Sequence, residues 1–258
     1  MTDGNRVSIL GVRVSTLSMG ETVDVLLDWA SAARSPEGPR CVCATTVHGL
    51  MEARRDPSFR AILNEASLVT ADGMPLVWVG RVRGRQVERV YGPDLMLRLC
   101  AASAGRAIRH YFYGGVTGVA EQLAVNLEKR FPGLRVAGWW SPSFNRLADG
   151  ELRDAAHRIN SSGADIVWVG LGTPKQERWM AALRSRLAAK VMLTVGAAFD
   201  FHTGRVRQAP RLLQRAGLEW AFRLSQEPRR LWRRYALNNP LFVVLAGLEL
   251  LGVKRFPT

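Results

Sequence analysis

Short apolar segments rich in β-branched and aromatic residues alternate with longer segments whose apolar residues recur every three or four positions. The first pattern is typical of buried strands and the second of amphipathic helices. The predicted strands are 7–14, 40–46, 68–70, 110–113, 134–140, 166–170 and 191–195. The predicted helices between them include 21–33, 93–103, 116–130, 148–160 and 174–189. This alternation predicts an α/β fold with a Rossmann-like, mostly parallel sheet flanked by helices, and in such sheets ligands bind beyond the carboxyl ends of the strands.

The pattern changes near the C-terminus, where strands stop and helical segments rich in arginine begin. Helices are predicted over 211–226 and 228–237, followed by the apolar run 241–253. We therefore divide the chain into an α/β core, 1–202, and a helical appendage, 203–258. The apolar run is too short to span a bilayer, which takes about 20 helical residues. It either lies in a membrane interface or packs on the core of the protein, and the pattern leaves both open.

The distribution of charged residues supports this division. The 258 residues carry 36 Lys and Arg against 22 Asp and Glu, a net charge of +14. The appendage alone has eleven basic and three acidic residues, so more than half of the excess lies in its 56 residues. Nearly all of these cations are arginines, whose planar fork grips phosphate oxygens in pairs. The appendage is therefore predicted to bind a polyanionic partner.

The start of the chain and the cysteines indicate the compartment. Residues 2–6 are polar and no apolar signal segment follows, so no secretory signal is visible. Cys41, Cys43 and Cys100 are odd in number and lack metal-binding spacing, which suggests buried thiols in a reducing environment. We expect a cytoplasmic protein.

Two glycine-containing turns join predicted strands to helices. Gly114 and Gly115 open the first turn, whose amides would face an anion at a helix N-terminus, although such turns are also common for steric reasons. Gly172 lies in the second turn, where Thr173 is the predicted N-cap and Pro174 the first helical residue. Lys175, Gln176 and Glu177 follow and could simply be a solvated first turn, but a lysine at a helix start is unfavourable unless an anion compensates it.

Two carboxylates follow predicted strands. Asp72 lies at a position suited to a general base, although Asp-Gly is also a common turn. Asp200 is a candidate substrate-binding residue, N-cap or hydrogen-bonding organiser, and His48 is interpreted as a satisfied histidine at a helix start. No Asp-x-Asp pair, HExxH or Cys/His cluster occurs, so no metal site is predicted. If a nucleotide diphosphate left during a reaction, its growing charge would then have to be met by arginines and helix ends.

Several blocks in order along the chain resemble the WecG/TagA/CpsF glycosyltransferases, over about residues 7–235. The blocks that carry the resemblance are ARRDP at 53–57, ADG at 71–73, RVYGPDL at 89–95, GG at 114–115 with GVAE at 118–121, GLGTPKQE at 170–177, and GLEW at 217–220 continuing to Arg223 and EPRR at 227–230.

The resemblance implies an inverting, metal-independent transfer of an N-acetylmannosamine-type or related sugar from UDP to an undecaprenyl-diphosphate-linked sugar, in wall teichoic acid, capsule or exopolysaccharide synthesis. It implies no cofactor beyond the UDP-sugar, which is the donor substrate. Asp72 matches the catalytic base of the family, and Arg89 and Gln176 match polar residues near the sugar nucleotide. Further matches are arginines of an appendage thought to close over the site and touch the membrane, namely Arg223, Arg230 and Arg233.

The chain departs from the family pattern at one strand end. A Thr-x-Asn sequence is usual there, whereas this chain has Ala44 followed by Thr45 and Thr46, which we take as stand-ins in the substrate site. The resemblance also implies an anionic membrane surface as a partner, with the protein bound peripherally to the inner face of the plasma membrane. Members of the family can form homo-oligomers.

Two other functions remain as alternatives. High basicity and eight tryptophans would suit a nucleic-acid-binding protein. No nucleic-acid motif accompanies the arginines, which lie on helices with apolar faces, and we therefore expect no nucleic-acid partner. The other alternative is a noncatalytic membrane scaffold that keeps the nucleotide-binding fold.

Overall fold

The computed structural model describes residues 5–142 and 149–258. The strands are β1 (Arg6–Ile9), β2 (Val12–Ser15), β3 (Arg40–Thr45), β4 (Leu68–Ala71), β5 (Arg109–Gly114), β6 (Arg135–Trp140), β7 (Ile166–Gly170) and β8 (Val191–Thr194). The helices are α1 (Met19–Ser31), α2 (Val47–Arg55), α3 (Pro57–Glu65), α4 (Met74–Val82), α5 (Gly92–Ser103), α6 (Val119–Arg130), α7 (Asp149–Ser162), α8 (Lys175–Leu183), α9 (Ala198–His202), α10 (Arg211–Arg215), α11 (Glu219–Gln226) and α12 (Pro228–Leu250). Residues 1–4, and Ala148 of the predicted helix 148–160, lie outside the described residues.

Six strands form the central sheet in the order β4-β3-β8-β7-β5-β6, and every neighbouring pair is parallel. Helices cover both faces, because alternate side chains of the strands enter two separate apolar clusters. Met192 and Val167 belong to one cluster, whereas Leu193 and Trp168 belong to the other. The predicted Rossmann-like α/β fold is confirmed.

The predicted strand 7–14 is wrong as a single element. It forms a two-stranded antiparallel hairpin, β1 and β2, beside the main sheet. Leu10 (φ 49°) and Gly11 (φ 82°) form its turn, and positive φ at both central residues is the backbone conformation of the tight hairpin turn that matches strand twist. Pattern alone missed the turn because Leu10 is apolar and fully buried.

Two helices begin later than predicted. α6 begins at Val119 rather than Val116, because Gly118 (φ 83°) ends the glycine turn in a left-handed conformation. α8 begins at Lys175 and ends at Leu183, not 189. Pro174 occupies the N-cap position, and the Thr173 hydroxyl donates to Glu177 Oε1 instead of capping the helix.

The appendage also differs from its predicted elements. Gly217 (φ 70°) breaks the predicted helix 211–226 into α10 and α11, and a Cβ there would lie 2.5 Å from the Trp78 indole. In contrast, the predicted helix 228–237 and the apolar run 241–253 form one helix, α12, which continues through Pro240. Proline removes one backbone hydrogen bond from a helix. The carbonyl that would accept this bond belongs to Ala236, a residue exposed to water.

One side of α12 packs on the core, since Phe242, Leu245 and Ala246 belong to the same cluster as Met192. The opposite side leaves apolar residues exposed, including Leu237, Leu241 and Val244. Packing on the protein therefore accounts for part of the run 241–253, and its other face is open to a further partner. Among residues 5–142 and 149–258, no helix is both long and apolar enough to cross a membrane.

Candidate active site

The carboxyl ends of the parallel strands bring the predicted residues to one edge of the sheet. The backbone N–H of Asp72 donates to the Thr45 carbonyl at 3.0 Å, and that of Gly115 donates to the Gly170 carbonyl at 3.0 Å. Thr45 is buried, whereas Thr46 is exposed beside Gly73. Of the two threonines, Thr46 is therefore the one that offers a side chain to a ligand.

Asp72 has the electrostatics of a general base. The residue is half-buried, and its Oδ1 accepts a long hydrogen bond of 3.4 Å from the Gly92 backbone N–H. Burial raises the pKa of Asp72 from 3.8 to about 7, the negative charge of Glu219 adds to the rise, and Arg89 and Arg223 oppose it. A carboxyl with this pKa takes up and releases a proton near neutral pH, which suits proton transfer from a hydroxyl.

Arg89 is engaged by the protein itself. Its Nε donates to the Asp72 carbonyl oxygen at 2.5 Å, one terminal nitrogen donates to Gln214 Oε1 at 3.1 Å, and the other pairs with Glu219. The guanidinium also lies over the Tyr91 ring, 4.1 Å from its centre. The predicted contact of Arg89 with the sugar nucleotide stays a prediction, and the contacts present give Arg89 a positioning role.

Glu219, Gln214 and Tyr91 are site residues that the sequence analysis did not single out. Glu219 Oε1 accepts a hydrogen bond of 3.0 Å from the Tyr91 hydroxyl, so both carboxylate oxygens are used. Glu219 lies 130 positions from Arg89, and nothing in the spacing of charges indicated the pair. Its position in the GLEW block was the one available signal.

Gln176 lies beneath the second glycine turn rather than on its surface. It is 1% exposed, and its Oε1 accepts backbone hydrogen bonds from Gly172 at 3.2 Å and Gly196 at 3.1 Å. Its amide nitrogen donates to Glu177 Oε1 at 2.8 Å. Burial raises the pKa of Glu177, which favours its neutral form. These bonds tie the turn after β7 to the turn after β8, so Gln176 shapes the site from below.

The glycine turns have clear steric reasons. A Cβ on Gly114 (φ 136°) would lie 2.5 Å from the Gly170 oxygen, and one on Gly115 (φ 69°) would lie 2.6 Å from the Val119 side chain. Gly172 (φ 77°) has open space around its Cβ direction, and Lys175 is exposed at the first turn of α8. The steric alternative thus suffices for the first turn, while anion binding by either turn stays a prediction.

The appendage arginines gather around Asp200. Arg205 Nε lies 3.7 Å from Asp200 Oδ1, and burial raises the pKa of Asp200 against the influence of Arg205, Arg230 and Arg223. Asp200 lies inside α9, so it is not an N-cap. Arg223 lies over the Phe201 ring. Guanidinium groups outnumber carboxylates here, as expected of an anion site.

Arg234 is a further member of this cluster that the sequence analysis missed. Burial lowers its pKa to about 10, and the nearby Arg223 and Arg230 charges add to the shift. The Nε atoms of Arg223 and Arg234 are buried without a hydrogen-bond partner among the described residues. The predicted Arg233 instead lies over the exposed Trp232 ring, facing outward. Arg234 therefore faces the cluster from the position next to the predicted arginine.

His48 connects α12 to the second glycine turn. Its Nδ1 accepts a hydrogen bond from Asn238 Nδ2 at 3.1 Å, and the ring is also bonded to the backbone of Thr173. Burial lowers the pKa of His48 to about 3, and Arg234 and Arg55 act in the same direction, so the ring is neutral. His48 is the second residue of α2, and its ring nitrogens have hydrogen-bond partners. It is therefore a structural histidine, as interpreted from the sequence.

Two comparisons with known proteins indicate the family of the chain. The sequence model of the glycosyl transferase WecG/TagA/CpsF family matches residues 7–255. The chain is also similar to an N-acetylglucosaminyldiphosphoundecaprenol N-acetyl-beta-D-mannosaminyltransferase from Bacillus spizizenii. The two are 32% identical over 196 residues, which cover 74% of this chain and 72% of the relative.

Proposed function

Because the chain belongs to the glycosyl transferase WecG/TagA/CpsF family, we propose that it moves an N-acetylmannosamine-type or related sugar from UDP to an undecaprenyl-diphosphate-linked acceptor. The relative from Bacillus spizizenii supports the transferred N-acetylmannosaminyl group and the lipid-linked acceptor, both of which its name specifies. The observation that carries the proposal is Asp72, a carboxyl with a pKa of about 7 at the ligand-binding edge of the sheet.

Asp72 acts as the general base in the proposed reaction. The acceptor hydroxyl oxygen attacks the anomeric carbon of the donor sugar while its proton passes to the Asp72 carboxylate. The bond from the anomeric carbon to the UDP oxygen breaks, and its electron pair leaves with the diphosphate. Attack from the side opposite the leaving group inverts the anomeric centre.

In this proposal the arginines near Asp200 stabilise the negative charge that develops on the leaving diphosphate. Arg223 and Arg234 each have a buried Nε without a partner, and Arg230 contributes a third positive charge. Preorganised guanidinium groups stabilise charge that grows in the transition state. This arrangement supports a reaction that proceeds without a metal, in which case excess EDTA leaves the transfer rate unchanged. A loss of transfer on EDTA addition, restored by Mg²⁺, would refute metal independence.

The exposed side of α12 supports peripheral binding to an anionic membrane surface. Apolar residues such as Leu237, Leu241 and Val244 are exposed there, and Arg229 and Arg233 lie on the same helix. A basic residue near an anionic bilayer contributes about 1 kcal/mol of attraction. We place the protein at the inner face of the plasma membrane, where the lipid-linked acceptor would be held, and include a homo-oligomer as a further part of the proposal.

A transfer assay with purified protein tests the function. The protein is incubated with a panel of UDP-sugars and a short-chain polyprenyl-diphosphate-linked N-acetylglucosamine, and the lipid product is resolved chromatographically. We expect transfer from UDP-N-acetylmannosamine or a close relative. Absence of transfer from every donor would favour the noncatalytic scaffold. Salt-dependent binding of oligonucleotides at submicromolar protein would favour the nucleic-acid alternative.

A further inference from the structure

Glu219 joins α11 of the appendage to the core segment beside Asp72. None of the residues of α11 is fully buried, and its Trp220 ring packs on Tyr235 of α12. Glu219, the first residue of α11, accepts from the Arg89 guanidinium with one oxygen and from the Tyr91 hydroxyl with the other. Both partners lie in the segment between α4 and α5, and Arg89 Nε also donates a hydrogen bond to the Asp72 carbonyl oxygen.

We propose that Glu219 is a positioning residue for the transfer reaction: it seats α11 on Arg89 and Tyr91 and places a fixed negative charge beside the Asp72 carboxyl. The inference rests on the proposed function, because it assigns Glu219 to the reaction in which Asp72 is the base. Glu219 acts through Asp72 and touches no reacting atom.

The charge of Glu219 has a defined effect on Asp72. A neighbouring like charge disfavours ionisation of a carboxyl, so Glu219 helps to keep the pKa of Asp72 near neutrality. The charged and titratable groups that face Asp72 are Arg89 from the loop before α5, and Glu219 and Arg223 from α11. Tyr91, the N-cap of α5, is a neutral donor whose pKa burial and Glu219 raise. Glu219 is therefore the one negative charge in the group that opposes the two arginines.

Glu219→Gln tests the inference, because glutamine keeps the shape and removes the charge. We expect the acidic limb of the kcat/KM profile, which reports the base in the free enzyme, to move to lower pH by about 0.5–1 unit. Glu219→Asp keeps the charge on a shorter side chain, so it should lower kcat and leave the limb close to its original pH. Glu65→Gln makes the same chemical change at an exposed position of α3 and should alter neither.

Three outcomes would overturn the inference. The first is that the acidic limb of the kcat/KM profile stays at the same pH in Glu219→Gln. The second is that this limb shifts equally in Glu219→Asp. The third is that the loss of activity in the variants only follows a lower Tm. A measurement that needs no catalysis distinguishes failure of this inference from failure of the proposed function. The stability difference between the Asp72→Asn and parent proteins should reach its plateau at lower pH when Glu219→Gln is present. If the parent transfers no sugar but this plateau moves, the proposed function fails while the coupling stands.

Discussion

Replacing Asp72 by asparagine should stabilise the protein, and by an amount that depends on pH. A carboxyl whose pKa is raised in the folded state binds more protons there than in the unfolded chain, so stability falls as pH rises between the two values. For Asp72 these are 3.8 and about 7. At about 1.4 kcal/mol per pH unit the full penalty is roughly 4 kcal/mol. Because Asp72 is only half-buried, solvent screening reduces this penalty to about 2–4 kcal/mol.

Asparagine removes this penalty and retains an oxygen for the Gly92 backbone N–H. Urea denaturation of the two proteins at pH 4, 5, 6, 7 and 8 gives the difference in free energy of unfolding, in which other titrating groups cancel. We expect a small difference near pH 4 that grows with pH and levels off above about pH 7. A difference that is constant with pH, or that favours the parent at pH 8, would refute the account of Asp72 as a carboxyl with a raised pKa.

Three further substitutions test other parts of the site. Gly114→Ala should lower the free energy of unfolding by about 2 kcal/mol or more, because its Cβ would lie 2.5 Å from a neighbouring carbonyl oxygen. Gly118 has positive φ but open space around it, so Gly118→Ala should cost about 1 kcal/mol in the same urea assay. Equal losses in the two variants would contradict the steric argument. Glu249→Ala leaves the Leu10 N–H without its acceptor and removes the ion pair with Arg83, so it should cost about 2–4 kcal/mol in the same assay. Glu249→Gln should cost less, and equal costs would mean that the charge is irrelevant. Arg234→Ala should weaken UDP binding about tenfold by calorimetry, and a loss no larger than that of the exposed Arg229→Ala would contradict the anion site.

The sheet and its functional edge were predictable because they depend on local patterns. Each of the six main strands is a short apolar run, and parallel strands place their carboxyl ends together. Asp72 and Thr46 could therefore be assigned to one edge before any geometry was known. That the arginine-rich appendage binds an anion stays a prediction.

The remaining features depend on contacts between distant residues. The pair of Arg89 and Glu219 joins a core loop to the appendage, and its partners have no periodic relation along the chain. Gln176 has the composition of a solvated helix start, but two backbone amides draw it inside. Arg234 and the adjacent Arg233 are indistinguishable by sequence, and the packing of α12 decides which of them enters the cluster.

The most direct test of the central claim compares sugar transfer and UDP binding in the parent protein and Asp72→Asn. If Asp72 accepts the proton of the acceptor hydroxyl, the variant binds UDP with nearly unchanged affinity while its kcat falls by at least about a hundredfold, the usual contribution of a general base. A variant that transfers sugar at the parent rate would contradict the account.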